Sequence, residues 1–448
     1  MAIGSFTRFD GEKRSGAVRI HGVLDEVAPR AAFDVVATIS DKGIMDLGDL
    51  DGDRDLDFSF NSFSQLAGFF ENDGTGAFSA IDQQIGVQSI NTQSPWGDYD
   101  GDGDLDFFTN GLVDGTLASR IYQNNGPDGF IDIQANLIGL RQGTGSWGDF
   151  DNDGDLDLAV IGDLSVDQGT NLYIPITKLY KNEGDNQYAE VEAGFEQLHV
   201  GNLNWVDYDL DGDLDLFVSG NQANGTPLSK LYRNDGADTF TEVVTSIPGF
   251  IEPAMDWGDY DPDGDLDLFI SGRNSSWQAF SRLYRNDGGD VFTPVNLNIQ
   301  PHWAGMIKWG DFDNDGDLDL LSSGIDFTQP TEEQQFISRV YRNQGSDVFE
   351  ELPLNLELGL ISRGGWADLD GDGDLDIAIS GLNSSYQLKT RIYLNNHVEN
   401  GGSANAKPTA PMNLVSMPNP VEQKMRLEWE AASDTETPVN SLSYNLLS

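Results

Sequence analysis

The chain has no cysteine, only four histidines, and 25 basic residues against 75 acidic ones. Without cysteine there are no disulfides, no thiolate metal sites and no cysteine nucleophile. Something other than disulfides must therefore hold the protein together if it is exported. The histidines (His21, His199, His302 and His397) form no Ser-His-Asp arrangement in register with the sequence. The formal charge of −50 repels nucleic acid and anionic membranes and attracts cations. No apolar run reaches the roughly 18 residues of a membrane span. Met1 to Arg14 lacks the apolar core of a signal peptide.

What the sequence does have is a repeat. An acidic nonapeptide begins at Asp49, Asp98, Asp149, Asp207, Asp259, Asp311 and Asp368, at intervals of 49 to 58 residues. That period suits a propeller blade of four short strands. Blade five shows the plan. A strand ends in Trp257-Gly258, and the acidic loop follows. Next come the apolar run Leu266–Gly272, a third strand over Leu283–Asn286 with a turn at Asn286-Asp287-Gly288, and a fourth strand opened by Phe292. Short apolar runs bounded by Gly and Asn predict buried strands, and no long amphipathic helix is expected. The last unit has a third strand at Ile392–Asn396 but no Phe-led fourth. A spare strand, Ala32–Val36, precedes the first loop and resembles Thr239–Val243. The fold class expected is therefore all-β: a seven-bladed propeller closed by an N-terminal strand that completes the last blade and leaves no open edge.

The loops read Asp-x-Asp-x-Asp-Gly-Asp-x-Asp. Their aspartates are Asp49, Asp51, Asp53, Asp55 and Asp57; Asp98, Asp100, Asp102, Asp104 and Asp106; Asp149, Asp151, Asp153, Asp155 and Asp157; Asp207, Asp209, Asp211, Asp213 and Asp215; Asp259, Asp261, Asp263, Asp265 and Asp267; Asp311, Asp313, Asp315, Asp317 and Asp319; and Asp368, Asp370, Asp372, Asp374 and Asp376. Calcium takes six to eight oxygen ligands. Carboxylates at positions 1, 3 and 5 converge on one ion when a Gly at position 6 permits a sharp turn. Position 7 then offers its carbonyl and position 9 a last carboxylate. Two such carboxylates about 5 Å apart repel by roughly 3 kcal/mol at an effective dielectric of 20. An isolated acidic run is ordinarily a solvated tract, but seven copies in register predict Ca²⁺, up to seven ions with one per blade. An EF-hand fits less well, because it needs flanking helices and a Glu at position 12, where no loop has one. Magnesium fits all-protein cages poorly. Arg54 stands at the Gly position of the first loop, which predicts the weakest site of the seven.

These loops resemble the FG-GAP/VCBS repeats, including the propeller in the head of integrin α-subunits, over about Phe33 to Asn396. The resemblance implies a calcium-stabilised extracellular propeller concerned with adhesion or ligand binding, and it is closer to bacterial secreted members than to integrins. Pro408–Leu414, Leu427-Glu428-Trp429 and Tyr444-Asn445-Leu446 resemble the opening strands of a fibronectin type III domain. The expected organisation is an unassigned segment over 1–30, the propeller over 31–398, a linker over 399–408 and a partial fibronectin-like segment over 409–448. Further domains are expected beyond both ends, so the missing signal peptide is uninformative.

Trp96, Trp147, Trp205, Trp257, Trp309 and Trp366 each sit two residues before a loop, with Leu47 in the first unit, and predict packing between blades. Arg120, Lys178, Lys230, Arg282, Arg339 and Arg391 precede the third-strand Tyr by two, and predict surface ion pairs, with the acidic loops as candidate partners. The variable connections on the face opposite the metals contain Trp277, Tyr386, Phe327, His302, Trp303, His199, Arg141 and Arg363. Of these, Trp277, Trp303 and Tyr386 are the candidate ligand-binding residues, because variable loops on a rigid scaffold carry function. The sequons at Asn224, Asn274 and Asn383 matter only in a eukaryotic secretory host. The leading expectation is an extracellular or cell-surface module binding a glycan or protein, with structural calcium and no catalysis. The alternatives are a polysaccharide lyase on a calcium-bearing propeller and a structural spacer in a larger surface protein.

Overall fold

The apolar run after each acidic loop becomes the buried second strand of a blade. In blade three every residue of Asp157–Asp163 is buried. A strand enclosed on both faces needs neighbours on both edges, and each unit supplies them as a four-stranded antiparallel sheet in sequential order. The structure, a computed structural model, describes residues 33–396, apart from 41–43, 54, 62–66, 86–94, 166–172, 327–328, 330–334 and 355, together with 412–419 and 424–430.

Blade five consists of Ile251–Gly258, Asp267–Arg273, Ala279–Asn286 and Phe292–Val295. Its register places Trp257 opposite Leu268, Leu268 opposite Tyr284 and Asn286 opposite Phe292. The other blades repeat this plan. Blade seven has Leu358–Ala367, Asp376–Asn383 and Leu388–Asn395, and its outer strand is Phe33–Ser40, with Phe33 opposite Asn395. First strands of neighbouring blades touch in turn, except that the second strand of blade two meets the first strand of blade three, and blade seven meets blade one. There the Met45 N–H donates to Ser380 Oγ at 2.8 Å. The protein is thus an all-β, seven-bladed propeller with essentially no helix, closed by its N-terminal strand.

The core lies between blades. Tyr208, Phe217 and Leu231 of blade four pack with Met255, Leu268 and Ile270 of blade five. The Trp-Gly pairs make the seam. A Cβ on Gly48, Gly97, Gly148, Gly258 or Gly310 would collide with the indole of Trp96, Trp147, Trp205, Trp309 or Trp366 in the next blade, at 2.5–2.9 Å. The tryptophans therefore do pack between blades. At Gly310 the added Cβ would sit 2.5 Å from Trp366 Cδ1, whereas at Gly365 the nearest atom is 3.5 Å away on the flexible Lys308 side chain. Gly310→Ala is expected to lower stability by about 1–3 kcal/mol and Gly365→Ala to leave it near wild type, read by thermal unfolding.

The first strands carry a bulge near the end opposite the loops. Gln142, Val200, Glu252, Ala304 and Ile361 there have φ of 47–55°. Strands Met412–Asn419 and Lys424–Glu430 pair with each other as a hairpin. The remainder of 409–448, residues 1–30, His21, Arg54, Phe327 and His397 lie outside the described residues.

Candidate metal loops and the opposite face

In an antiparallel blade the connection between strands one and two shares an end with the hairpin between strands three and four. All seven acidic loops therefore crowd one face of the ring. The Gly at position 6 has φ of 91–102° at Gly103, Gly154, Gly212, Gly264, Gly316 and Gly373, the left-handed turn that lets the loop coil. In blades two, three and six the position-1 carboxylate takes the N–H groups of positions 5 and 6, as Asp149 does from Asp153 and Gly154 at 3.0 Å each. Position 5 takes the N–H of position 7, as Asp263 does from Asp265 at 3.1 Å.

The coil gathers carboxylates. Asp49, Asp51 and Asp53 of blade one, and Asp259, Asp261 and Asp263 of blade five, bring oxygens within 4.8 Å of one another. In blades two, three and four the triplets are Asp98, Asp100 and Asp106; Asp149, Asp151 and Asp157; and Asp207, Asp209 and Asp215. At position 3, one buried oxygen each of Asp151, Asp261 and Asp313 makes no hydrogen bond. A buried carboxylate oxygen left in this state is costly unless a cation meets it. An all-oxygen donor set that is rich in carboxylate fits a hard divalent cation, and these acidic clusters could bind metal.

Position 9 has a prior duty. Asp57, Asp106, Asp157, Asp215, Asp267, Asp319 and Asp376 are fully buried. In blade five Asp267 Oδ2 accepts the Tyr260 N–H at 3.2 Å and Oδ1 the Asn286 N–H at 2.8 Å. Every blade repeats this pair of bonds. The carboxylate thus ties the loop to the end of strand three. Burial pushes these carboxyls up, to about 8 for Asp106, Asp157, Asp215, Asp267 and Asp376 and to about 7 for Asp57, against the opposing pull of the N–H bonds. A carboxyl raised on folding contributes stability that is full below its unfolded pKa of 3.8 and lost as pH rises through its folded value. Metal-free protein is therefore expected to melt lower at pH 8.5 than at pH 5.5. The gain on adding calcium should be larger at pH 8.5, as differential scanning fluorimetry would show.

The third-strand Asn is a functional residue that sequence reasoning assigned only to a turn. Asn286 Nδ2 donates to the Tyr208 carbonyl of the preceding loop at 2.8 Å. Asn72, Asn124, Asn182, Asn234, Asn343 and Asn395 make the same link, blade to blade, all the way around. Its signal is an aromatic two residues ahead of an Asn in every unit, as in Tyr284-Arg285-Asn286. Loop tyrosines add a second link: Tyr208 Oη donates to Asp290 at 2.6 Å and Tyr260 Oη to Asp347 at 2.9 Å, both in the next blade.

The basic residues before the third-strand Tyr pair mostly with carboxylates of strand four, not with the loops. Arg120 meets Asp132 at 3.2 Å, Arg339 meets Glu351 at 2.8 Å, and Lys178 and Lys230 meet Glu190 and Glu242. Arg391 reaches Glu357 at 2.9 Å, and Arg282 lies over the Phe280 ring. The reason is register: strand four runs beside strand three, whereas the loop lies at its end. The cations that do reach the loops follow the Tyr: Lys181 on Asp151, and Arg342 on Asp313 at 2.7 Å.

On the opposite face, only some of the expected residues lie on loops. Arg141, His199 and Trp303 begin first strands, Arg363 lies within one, and His302 is fully buried beside one, its pKa lowered by burial to about 3. Arg363 donates to the Gly305 carbonyl at 3.1 Å, a structural role. Trp277 and Tyr386 are exposed at turn tips. Trp303 is half-buried and joins Trp277 through Arg273, whose guanidinium lies 3.9 Å and 4.2 Å from the two ring centroids. Tyr386 stands apart in blade seven, edge-on to Phe336. A groove of 520 Å³ between blades three and four, lined by Pro175, Phe195, Gln197, Gln222 and Asn224 among others, opens on the same face.

Fold and loops together define a repeat propeller with one acidic loop per blade. The chain belongs to the FG-GAP-like repeat family, whose family model matches residues 98–160, 149–218, 207–270 and 259–322. Each match runs from one acidic loop into the second strand of the next blade. Cartilage acidic protein 1 of Homo sapiens is 26% identical over 245 residues, covering 48% of this chain and 36% of that protein. The Xenopus tropicalis protein of the same name is 28% identical over 163 residues, covering 34% and 24%. The chain thus spans about a third or less of the length of the curated relatives it matches. Among solved structures, an Agrocybe aegerita protein described in the recognition of non-reducing terminal N-acetylglucosamine aligns with a TM-score of 0.45, 17% identity and coverage of 69% and 79%. A Penicillium chrysogenum α-L-arabinanase aligns at 0.44, with 11% identity and coverage of 80% and 99%. Likeness at that level says nothing of function.

Proposed function

We propose that this protein is a calcium-stabilised propeller that acts outside the cell or at its surface as a binding module for a glycan or protein. The reading rests on the ring of acidic loops, where carboxylate oxygens converge and some are buried without a hydrogen bond. Calcium in those loops would be structural. Positions 1, 3, 5 and 9 of each loop would supply carboxylates and position 7 a carbonyl. Extracellular calcium modules bind at about 10⁻⁴–10⁻³ M, far above cytosolic calcium, and structural sites of that affinity would fill only outside the cell. With the loop face committed to metal, the opposite face is left to carry the ligand, as turns on a rigid scaffold commonly do.

Two measurements test this. Mass spectrometry of the native protein should count six or seven calcium ions, and none would sink the metal reading. A glycan array and a surface-protein pull-down with the calcium-loaded chain should return a ligand, and two empty results would sink the binding reading.

A further inference from the structure

The two exposed aromatics on the face opposite the loops occupy the same place in the same turn. Asn274-Ser275-Ser276-Trp277-Gln278 joins strands two and three of blade five, and Asn383-Ser384-Ser385-Tyr386-Gln387 joins them in blade seven. The leading Asn N–H donates to the Gln carbonyl at 3.0 Å in both, and the aromatic N–H donates back to the Asn carbonyl at 2.9 and 2.8 Å. The Asn Oδ1 accepts the N–H of the second Ser at 2.9 and 3.0 Å and of the Gln at 3.2 and 2.9 Å.

This closure puts Trp277 at φ 62° and Tyr386 at φ 56°. Blade four closes the same turn between Gln222 and Thr226, and there the position is Gly225, at φ 79°. A left-handed backbone at a bulky residue costs about 1–2 kcal/mol. Exposure of 65% for Trp277 and 57% for Tyr386 returns little of that through burial. The same angle recurs at Val200 and Ile361 in the first-strand bulges, so it is the combination of this strain with a large exposed ring that points toward function.

Both rings are also held in place. The Arg273 guanidinium lies between Trp277 and Trp303 and pairs with Glu252 at 2.7 Å. One face of the Trp277 indole is thereby covered and the other left open. Tyr386 rests on Phe336 with centroids 5.6 Å apart.

We infer that these twin turns are a pair of stacking arms for neutral pyranose glycans. The inference rests on the reading that the face opposite the metal loops carries the ligand. Each ring is bordered by exposed Ser and Gln side chains in place of further apolar surface, so it offers a flat face for sugar C–H groups beside donors and acceptors for hydroxyls. A protein partner would want a contiguous apolar centre. The formal charge of −50 disfavours acidic sugars, and the cation stacked on Trp277, Arg273, is already paired with Glu252.

The test is isothermal titration of the calcium-loaded full chain with cellohexaose, mannohexaose, chitohexaose and hexagalacturonate, with tryptophan fluorescence as a second signal. The variants are Trp277→Gly and Tyr386→Gly, which remove the rings and suit the turn, as Gly225 shows; melting curves confirm that they fold. Saturable binding of a neutral hexasaccharide is expected, weakened about tenfold or more at the arm each single variant removes and at both arms in the double variant. No neutral binding, a preference for hexagalacturonate, or affinity unmoved in the double variant overturns the inference. A ligand from the array or pull-down whose binding survives both variants overturns it too, while leaving the binding-module reading intact. Empty array and pull-down results mark the failure of that broader reading.

Discussion

Chelating calcium with EGTA is expected to lower the unfolding midpoint by about 25 °C. With free calcium at 100 times the dissociation constant, each site adds about 2.7 kcal/mol, or about 19 kcal/mol for seven. At about 2.1 cal/mol/K per residue, some 360 residues unfold with an entropy near 0.76 kcal/mol/K, which converts the loss to that shift. The loops are well placed to pass the effect to the whole ring. The loop residue after the first Asp gives its carbonyl to the next blade's Asn, and in blades two, four and five its hydroxyl reaches the next blade's hairpin. A loop loosened by repulsion among its carboxylates therefore disturbs an inter-blade seam. The shift should scale with free calcium and far exceed any given by magnesium at equal concentration. A midpoint indifferent to EGTA would reduce the acidic loops to solvated turns.

The second large effect separates two aspartates of one loop. Asp267→Ala is expected to destabilise the protein by about 2–6 kcal/mol with or without calcium, since it strands two buried N–H donors at about 1–3 kcal/mol each. Those donors are the amides of Tyr260 and Asn286, and the second of these residues also spans the seam to blade four. Asp263 is exposed and holds only the Asp265 N–H at its own loop. Asp263→Ala should therefore cost stability in calcium, through one weakened site, and almost none in EGTA. Denaturant melts of both variants in both buffers decide the matter. Equal behaviour of the two variants would refute the division of labour between positions 5 and 9.

Much of this architecture was readable without coordinates. Seven acidic nonapeptides at a blade-like period announced the propeller, and the spare strand at Phe33 with the missing fourth strand after Asn396 announced its closure. The tryptophans before each loop were legible as seam residues because they recur in register. Less legible was anything that depends on which end of a strand faces which neighbour. The basic residues two before the third-strand Tyr turned to strand four, a lateral neighbour that a linear reading places no nearer than the loop. Arg363 and His302 read as loop decoration, yet Arg363 is half-buried within a first strand and His302 is buried beside one, because the first strand extends further toward the opposite face than the apolar pattern implies.

By itself the sequence determined the repeat, the all-β class, the blade count and the acidic donor set, because local composition and spacing carry those directly. Only the tertiary structure decided that position 9 is first a structural acceptor, that the third-strand Asn latches each blade to the one before, and that Trp277 and Tyr386 share one strained turn. Each of these depends on groups far apart in the chain or on a backbone angle. Residue identity alone specifies neither: Asn286 meets Tyr208 across 78 residues, and nothing in the letters Trp and Tyr marks a left-handed φ.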